Sequence, residues 1–228
     1  NAITERKGAK TALITTKGFR DVLEIGRARR PDMYNYYFAK PKPFVPRELR
    51  YEVTERIDNE GRVIQPLDLD DLQKIARACR QKGVEAVAVC LLHSYANPEH
   101  EEECRRLLKE ELNGVSITIS ADVIKEWREY ERTSTAVLNA YVQPKTIMYL
   151  DSLEGELKEF GLKIKPHAMQ SNGGSATFDM AKRTPINLIE SGPVGGVMGG
   201  KALGDIIGEK NIITFDIGEN IFSIPYTF

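Results

Sequence analysis

The chain has 228 residues, with 32 basic and 33 acidic side chains mixed along its length and a formal charge of -1. That length allows one large domain or two modest ones, and an apolar fraction of 41% supports a packed core and excludes collagen-like or disordered composition. No basic field invites nucleic acid or anionic lipid, and no run approaches the roughly 18 apolar residues of a membrane helix.

The opening, Asn1 to Gly8, has no methionine, no apolar signal core and no small-residue cleavage pattern, so it reads as mid-protein sequence. Thr11 to Thr16 is a short β-rich run. Phe19, Val22, Leu23 and Ile25 then predict a helix closed by Gly26. From Arg30 to Pro46, four prolines among aromatics predict an irregular surface loop. Tyr51 to Ile57 alternates, Asp58 to Gly61 supplies turn residues and Arg62 to Gln65 follows, a β-hairpin pattern. Asp68 stands at the N-cap of a helix whose apolar face is Leu69, Leu72, Ile75, Ala76 and Cys79, stopped by Gly83.

Val84 to Leu92 is almost continuously apolar, as in a strand buried on both faces of a parallel sheet, so βαβ architecture is favoured. Asn97-Pro98 opens a further helix that ends at Asn113-Gly114, and Glu99 to Glu103 read there as compensation of the helix dipole. Val115, Ile117 and Ile119 alternate as a strand. Helical signal runs from Val123 to Phe160 with a break expected at Gln143-Pro144, a boundary between subdomains. A strand over Ile164 to Gln170, a glycine-rich helix over Pro193 to Gly204 and a strand over Ile212 to Ile217 complete the order.

The three cysteines, Cys79, Cys90 and Cys104, lie 11 and 14 residues apart, which makes no zinc knuckle. Each sits in a periodic apolar pattern, as reduced core thiols of a cytoplasmic protein do. His93, His100 and His167 do not read as a metal site, and no Ser-His-Asp or Cys-His arrangement emerges from spacing. Arg128, Glu129, Glu131 and Arg132 could recognise substrate, but on a helix they also make ordinary (i, i+3) and (i, i+4) ion pairs, and the solvated face is the favoured reading.

Phosphate chemistry is the stronger signal. Ile212 to Ile217 runs into Asp216-Ile217-Gly218, and a strand ending Asp-x-Gly presents a carboxylate and a bare backbone turn to a metal-bound phosphate. Asp216 is therefore the candidate magnesium and phosphate contact, with Gly218 in the turn. Gly192, Gly195 and Gly196 are candidates for nucleotide proximity or for close helix packing. Asn172, Gly173 and Gly174 follow a strand and could either bring an amide to a ligand or form a plain turn. Gly195 to Lys201 matches the start of a P-loop, yet Ala202 stands where the metal-binding Ser or Thr belongs, and no G-x-G-x-x-G fingerprint occurs.

A small-residue helix followed by a strand ending Asp-x-Gly resembles the actin-like ATPase fold, of ribonuclease H-like type. Several motifs carry a fuller resemblance to the hydantoinase and oxoprolinase family over nearly the whole chain. They are Asn1-Ala-Ile-Thr-Glu-Arg-Lys-Gly-Ala9, Thr15-Thr-Lys-Gly-Phe-Arg-Asp-Val-Leu-Glu-Ile-Gly-Arg27 with Arg30-Pro31, and Arg128-Glu-Tyr-Glu-Arg-Thr-Ser-Thr-Ala136 with Asn139-Ala-Tyr-Val-Gln-Pro144. Met169-Gln-Ser-Asn-Gly-Gly174 and Ser191-Gly-Pro-Val-Gly-Gly196 complete the set.

The resemblance implies an α/β fragment of an actin-like ATPase, with a parallel or mixed sheet flanked by helices. It implies residues 1–122 as the remainder of the family's N-terminal region and 123–228 as the start of its ATPase region, truncated after the strand ending at Gly218. The implied activity is ATP-dependent opening of small cyclic amides such as hydantoins or 5-oxoproline, with ATP and Mg2+ as cofactors and a second large subunit or domain as partner. Ketone carboxylases are relatives and supply the alternative activity. The chain departs from the family pattern in beginning after the first phosphate loop, and in continuing from Gly218 with Glu219 to Phe228, where Glu219 would aim a like charge at phosphate. The expectation is that this polypeptide alone does not turn over ATP, and the alternative to an enzyme fragment is a non-catalytic scaffold that docks a partner subunit.

Overall fold

A computed structural model describes residues 2–27 and 32–217, together with the backbone of 222–223 and 226–227. The chain divides into two compact units, residues 8–145 and residues 1–7 with 146–228. Arg30, Pro31 and Gly218 to Ile221 lie outside the described residues.

In the unit spanning 8–145, β1 (Thr11–Thr16) is buried along all six residues. The helix expected over Phe19 to Gly26 contracts to one turn, α1 (Val22–Ile25), closed by Gly26 at φ 55°. It has no side-chain cap and no buried residue, so neither a local bond nor the core extends it. A 3-10 turn at Arg47–Leu49 leads into β2 (Arg50–Val53), and β3 (Arg56–Ile57) follows, paired antiparallel with β4 (Val63–Gln65).

The run Tyr51 to Ile57, read as one hairpin arm, is thus divided. Its first part pairs parallel with β1, with Thr16 opposite Val53, and only its end forms the hairpin. Alternation shows which face is buried and not which strand lies alongside.

Asp68 caps α2 (Leu69–Gln81), accepting from the Asp71 N–H at 3.0 Å. β5 (Ala86–Cys90) is buried throughout, as its unbroken apolar sequence predicts. α3 (Glu99–Glu111), β6 (Ser116–Ile119), α4 (Ser120–Val123) and the first part of α5 (Glu129–Glu159) complete the unit's elements. The sheet is four-stranded, in order β2-β1-β5-β6, and every pairing is parallel. One core joins it to Leu72, Ile75, Ala76 and Cys79 of α2, Cys104, Leu107 and Leu108 of α3, and Ala136, Val137 and Ala140 of α5. The α/β class with a parallel sheet flanked by helices is therefore as expected.

The break expected at Gln143-Pro144 does not occur. α5 continues through Pro144, and the division between the units falls one residue later, inside the helix. Proline removes one donor, but buried Ala140, Tyr141 and Val142 hold the flanking turn in the core. The Gln143 side-chain oxygen accepts from Thr118 Oγ1 at 3.2 Å.

In the second unit β7 (His167–Met169) and β8 (Ser175–Thr177) form an antiparallel hairpin, shorter than the strand expected from Ile164. Thr177 caps α6 (Phe178–Arg183), whose Phe178 and Ala181 pack with Leu150 in a small core. Lys182 reaches Asp151 and Glu154 of α5 at 2.6 and 3.1 Å. After a 3-10 turn at Pro185–Leu188 comes α7 (Ser191–Ile207), ended by Gly208 at φ 78°. The strand expected over Ile212 to Ile217 is two, β9 (Ile212–Ile213) and β10 (Asp216–Ile217), which pair antiparallel with β12 (Tyr226–Thr227) and β11 (Phe222–Ser223). Among the described residues no helix is long and apolar enough to cross a membrane.

Candidate functional site

The motif Gln170 to Gly174 is the turn of the β7–β8 hairpin. Gln170 N donates to the Gly174 carbonyl at 2.8 Å, Gly173 N to the Gln170 carbonyl at 3.0 Å, and Gly174 N to Asn172 Oδ1 at 2.9 Å. Gly173 has φ +81°, a conformation that glycine adopts without cost. The Asn172 side-chain oxygen is thus committed to its own turn. Ser171 ties the turn to the approach of α7, its Oγ donating to the Asn187 carbonyl at 2.7 Å and also to that of Ile189.

Two methionines bring this turn and α7 together. A Cβ on Gly173 would lie 3.4 Å from Met198 Sδ, and one on Gly195 would lie 3.9 Å from Met169 Cγ. At Gly192, Gly196 and Gly199 nothing beyond the helix's own neighbouring backbone lies within 4 Å of that position. Close packing falls instead on Gly200 and Gly204, where a Cβ would overlap Thr214 Cγ2 and Ile212 Cδ1. The helix therefore has a bare backbone half and a docked half, and β9 lies against the second.

Asp216 follows that docked strand and is half-buried. Among the described residues no group of three or more His, Cys, Asp and Glu side chains is placed to hold a metal ion. Open glycine backbone on α7 leaves room for a polyphosphate, although Glu190 at the N-cap sets a carboxylate at the start of that helix, and Asp216 offers a metal one carboxylate. The partial P-loop match, Gly195 to Lys201, is helix interior, and Lys201 Nζ pairs with Asp205 at 2.8 Å.

A second constellation lies in the 8–145 unit, at the carboxyl ends of the parallel strands. The chain goes from β1 to β2 on one side and to β5 on the other, and beyond such a switch point parallel sheets bind their ligands. At the end of β1, Thr16 Oγ1 donates to Glu55 and accepts from the Leu92 N–H at 3.0 Å. The other Glu55 oxygen lies 2.7 Å from His100 Nδ1.

Just past β5, Glu101 takes the Leu91 N–H at 2.8 Å, the Ser120 hydroxyl at 2.7 Å and the Ala121 N–H at 2.9 Å. Burial pushes its carboxyl above the usual range, and those three donors oppose the rise. Arg132 Nη2 donates to the carbonyl of the same Leu91.

Residues 1–112 match the family described as the hydantoinase/oxoprolinase N-terminal region, and 132–219 match hydantoinase/oxoprolinase. The chain belongs to the hydantoinase/oxoprolinase family. An uncharacterized protein of Methanocaldococcus jannaschii is 45% identical over 209 residues, covering 92% of this chain and 31% of that protein. The caprolactamase subunit alpha of Pseudomonas jessenii is 33% identical, covering 98% and 32% respectively. Among solved structures, nucleotide-free acetone carboxylase superposes with a TM-score of 0.89 at 33% identity, over 100% of this chain and 33% of that one. The chain thus spans about a third of the length of these relatives and shares the α/β fold of this actin-like ATPase group.

Within this family member the Asn172 to Gly174 turn and the glycine-rich helix come together, and Gly218 lies outside the described residues. At the carboxyl edge Glu101, whose place in the first turn of α3 suits compensation of the helix dipole, is fully buried, and Arg132, on a helix face whose charges suit solvent, is 1% exposed. Glu101 sits among four other acidic or polar neighbours in Glu99 to Glu103, so nothing local separates it from them. Arg132 had one available signal. It precedes Ala136 and Ala140 at successive (i, i+4) steps, and an arginine in line with that apolar stripe is turned inward.

Proposed function

We propose that this chain contributes to an ATP-dependent enzyme that opens small cyclic amides of the hydantoin, 5-oxoproline or lactam type, with residues 1–122 in the family's N-terminal region and 123–228 beginning its ATPase region. The observation that carries this is the bare backbone of Gly192, Gly196 and Gly199 on α7, beside the Asn172 to Gly174 turn. When bound, ATP would supply a phosphoryl group that converts an amide oxygen into a better leaving group. Gly192, Gly195 and Gly196 would leave the backbone open to its phosphates, the Asn172 turn would border them, and Asp216, with Gly218 after it, would hold a magnesium ion. A second large subunit is the proposed partner, in keeping with the caprolactamase relative being named as a subunit. Three buried free thiols favour the cytoplasm.

Calorimetry of magnesium-ATP on the complete protein tests the nucleotide reading. Gly196→Ala is expected to weaken binding at least about tenfold without lowering thermal stability; unchanged affinity removes α7 from the site. The second reading, a ketone carboxylase subunit, is favoured by the acetone carboxylase superposition. ADP release with hydantoin, 5-oxoproline and caprolactam, against acetone with bicarbonate, separates the two.

A further inference from the structure

The geometry points to a small-oxyanion subsite at the carboxyl edge of the parallel sheet, built on Arg132, with Tyr95 and His93 at its rim. None of these residues is among those proposed above for nucleotide, so the inference stands apart from that reading.

Arg132 lies in the first turn of α5, and its position is set by three contacts. Nη2 donates to the Leu91 carbonyl and lies 3.7 Å from Cys90 Sγ, and the guanidinium carbon sits 5.5 Å from the centre of the Tyr95 ring. Nε and Nη1 are buried and have no hydrogen-bond acceptor, and among the described residues no carboxylate forms an ion pair with Arg132. A guanidinium cannot shed its charge as a buried lysine does, and buried charges in folded chains are paired. Glu101, on the same Leu91 residue, accepts from three donors of its own and makes no hydrogen bond to Arg132.

The surroundings agree with an anion. The guanidinium sits at the N-terminal turn of a long helix, where the backbone dipole favours negative charge. It lies beyond β5, next to the sheet's switch point. His93 holds φ +56°, left-handed backbone that a non-glycine residue keeps only under constraint, and its Nδ1 meets the Tyr95 hydroxyl at 3.0 Å. Tyr95 thus covers the guanidinium with its ring face and joins it to His93. The chemistry that completes this arrangement is a carboxylate or phosphate oxygen accepting from Arg132 Nε or Nη1.

The test reads the arginine Nε–H signals of the 228-residue chain by 15N NMR at constant ionic strength, titrating sodium acetate in one arm and inorganic phosphate in the other against a chloride control. One arginine Nε–H is expected to shift and saturate with at least one oxyanion and not with chloride, and the responding arm tells carboxylate from phosphate. That signal is absent in Arg132→Lys. His93→Gly, which accepts the left-handed backbone, serves as the second variant: it should fold and weaken the same titration severalfold. No saturable shift in either arm, equal shifts with chloride, or an unchanged titration in His93→Gly together with a retained signal in a folded Arg132→Lys would overturn the assignment.

Discussion

Alanine substitution along α7 separates its open half from its docked half. In a helix interior, replacing glycine by alanine stabilises by about 0.5–1 kcal/mol, because the unfolded chain loses freedom it would otherwise regain. At Gly196 and Gly199 nothing beyond the helix's own neighbouring backbone lies within 4 Å of the added methyl, so that gain is unopposed and the double variant should gain about 1–2 kcal/mol. At Gly204 the same methyl overlaps Ile212 Cδ1 and lies 2.6 Å from the Glu209 carbonyl. That carbonyl belongs to the turn in which Gly208 N and Glu209 N both donate to the Gly204 carbonyl, so it cannot swing away without undoing the helix end. Overpacking of this kind costs about 1–3 kcal/mol and outweighs the helical gain. Urea unfolding followed by far-UV circular dichroism should therefore place Gly196→Ala and Gly199→Ala above wild type and Gly204→Ala below it. Equal stabilisation by all three would show that β9 does not dock on α7 through Gly204.

Glu101→Ala strands the Leu91 and Ala121 amides without an acceptor, while Ser120 Oγ retains Ser94 Oγ at 3.1 Å. Two buried orphan donors cost about 2–6 kcal/mol together, and amide exchange at both residues should accelerate; a loss below about 1 kcal/mol would contradict the burial. Because burial raises the Glu101 carboxyl above 4.5, the folded chain holds that proton more tightly than the unfolded one. Its stabilising contribution is complete below about pH 4.5 and is lost as pH rises through the folded value, so wild type minus Glu101→Gln should be larger at about pH 4 than at about pH 7. A difference that grows with pH would refute this. Desolvation pushes the Cys79 thiol up to about 11 and also raises Cys90 and Cys104, so Ellman's reagent at about pH 8 should label none of the three before unfolding. Rapid labelling of any one in the native chain would refute the burial of that thiol.

Elements whose signal is local were legible in the sequence. Asp68 caps α2 through a residue three positions on, and β5 follows from an unbroken apolar run, because capping bonds and burial periodicity depend on near neighbours. The pairing of the Asn172 turn with the glycine helix was not legible as a contact, although both motifs stood out singly. Nor could identical letters be told apart: Gly196 faces open space and Gly204 faces Ile212 only because β9 returns to the helix.

The sequence alone determined the family, the α/β class and the order of most elements, since ordered motifs and short-range periodicity are properties of the chain itself. The tertiary structure decided that β2 joins the parallel sheet and that α5 runs through Pro144. It also decided that Glu101 and Arg132 close on Leu91. Those outcomes rest on groups brought together from 76 residues apart, as for Thr16 and Leu92, or 41 apart, as for Leu91 and Arg132. Spacing along a chain carries no record of such partners, because burial and hydrogen bonding at that range are settled only when the strands assemble.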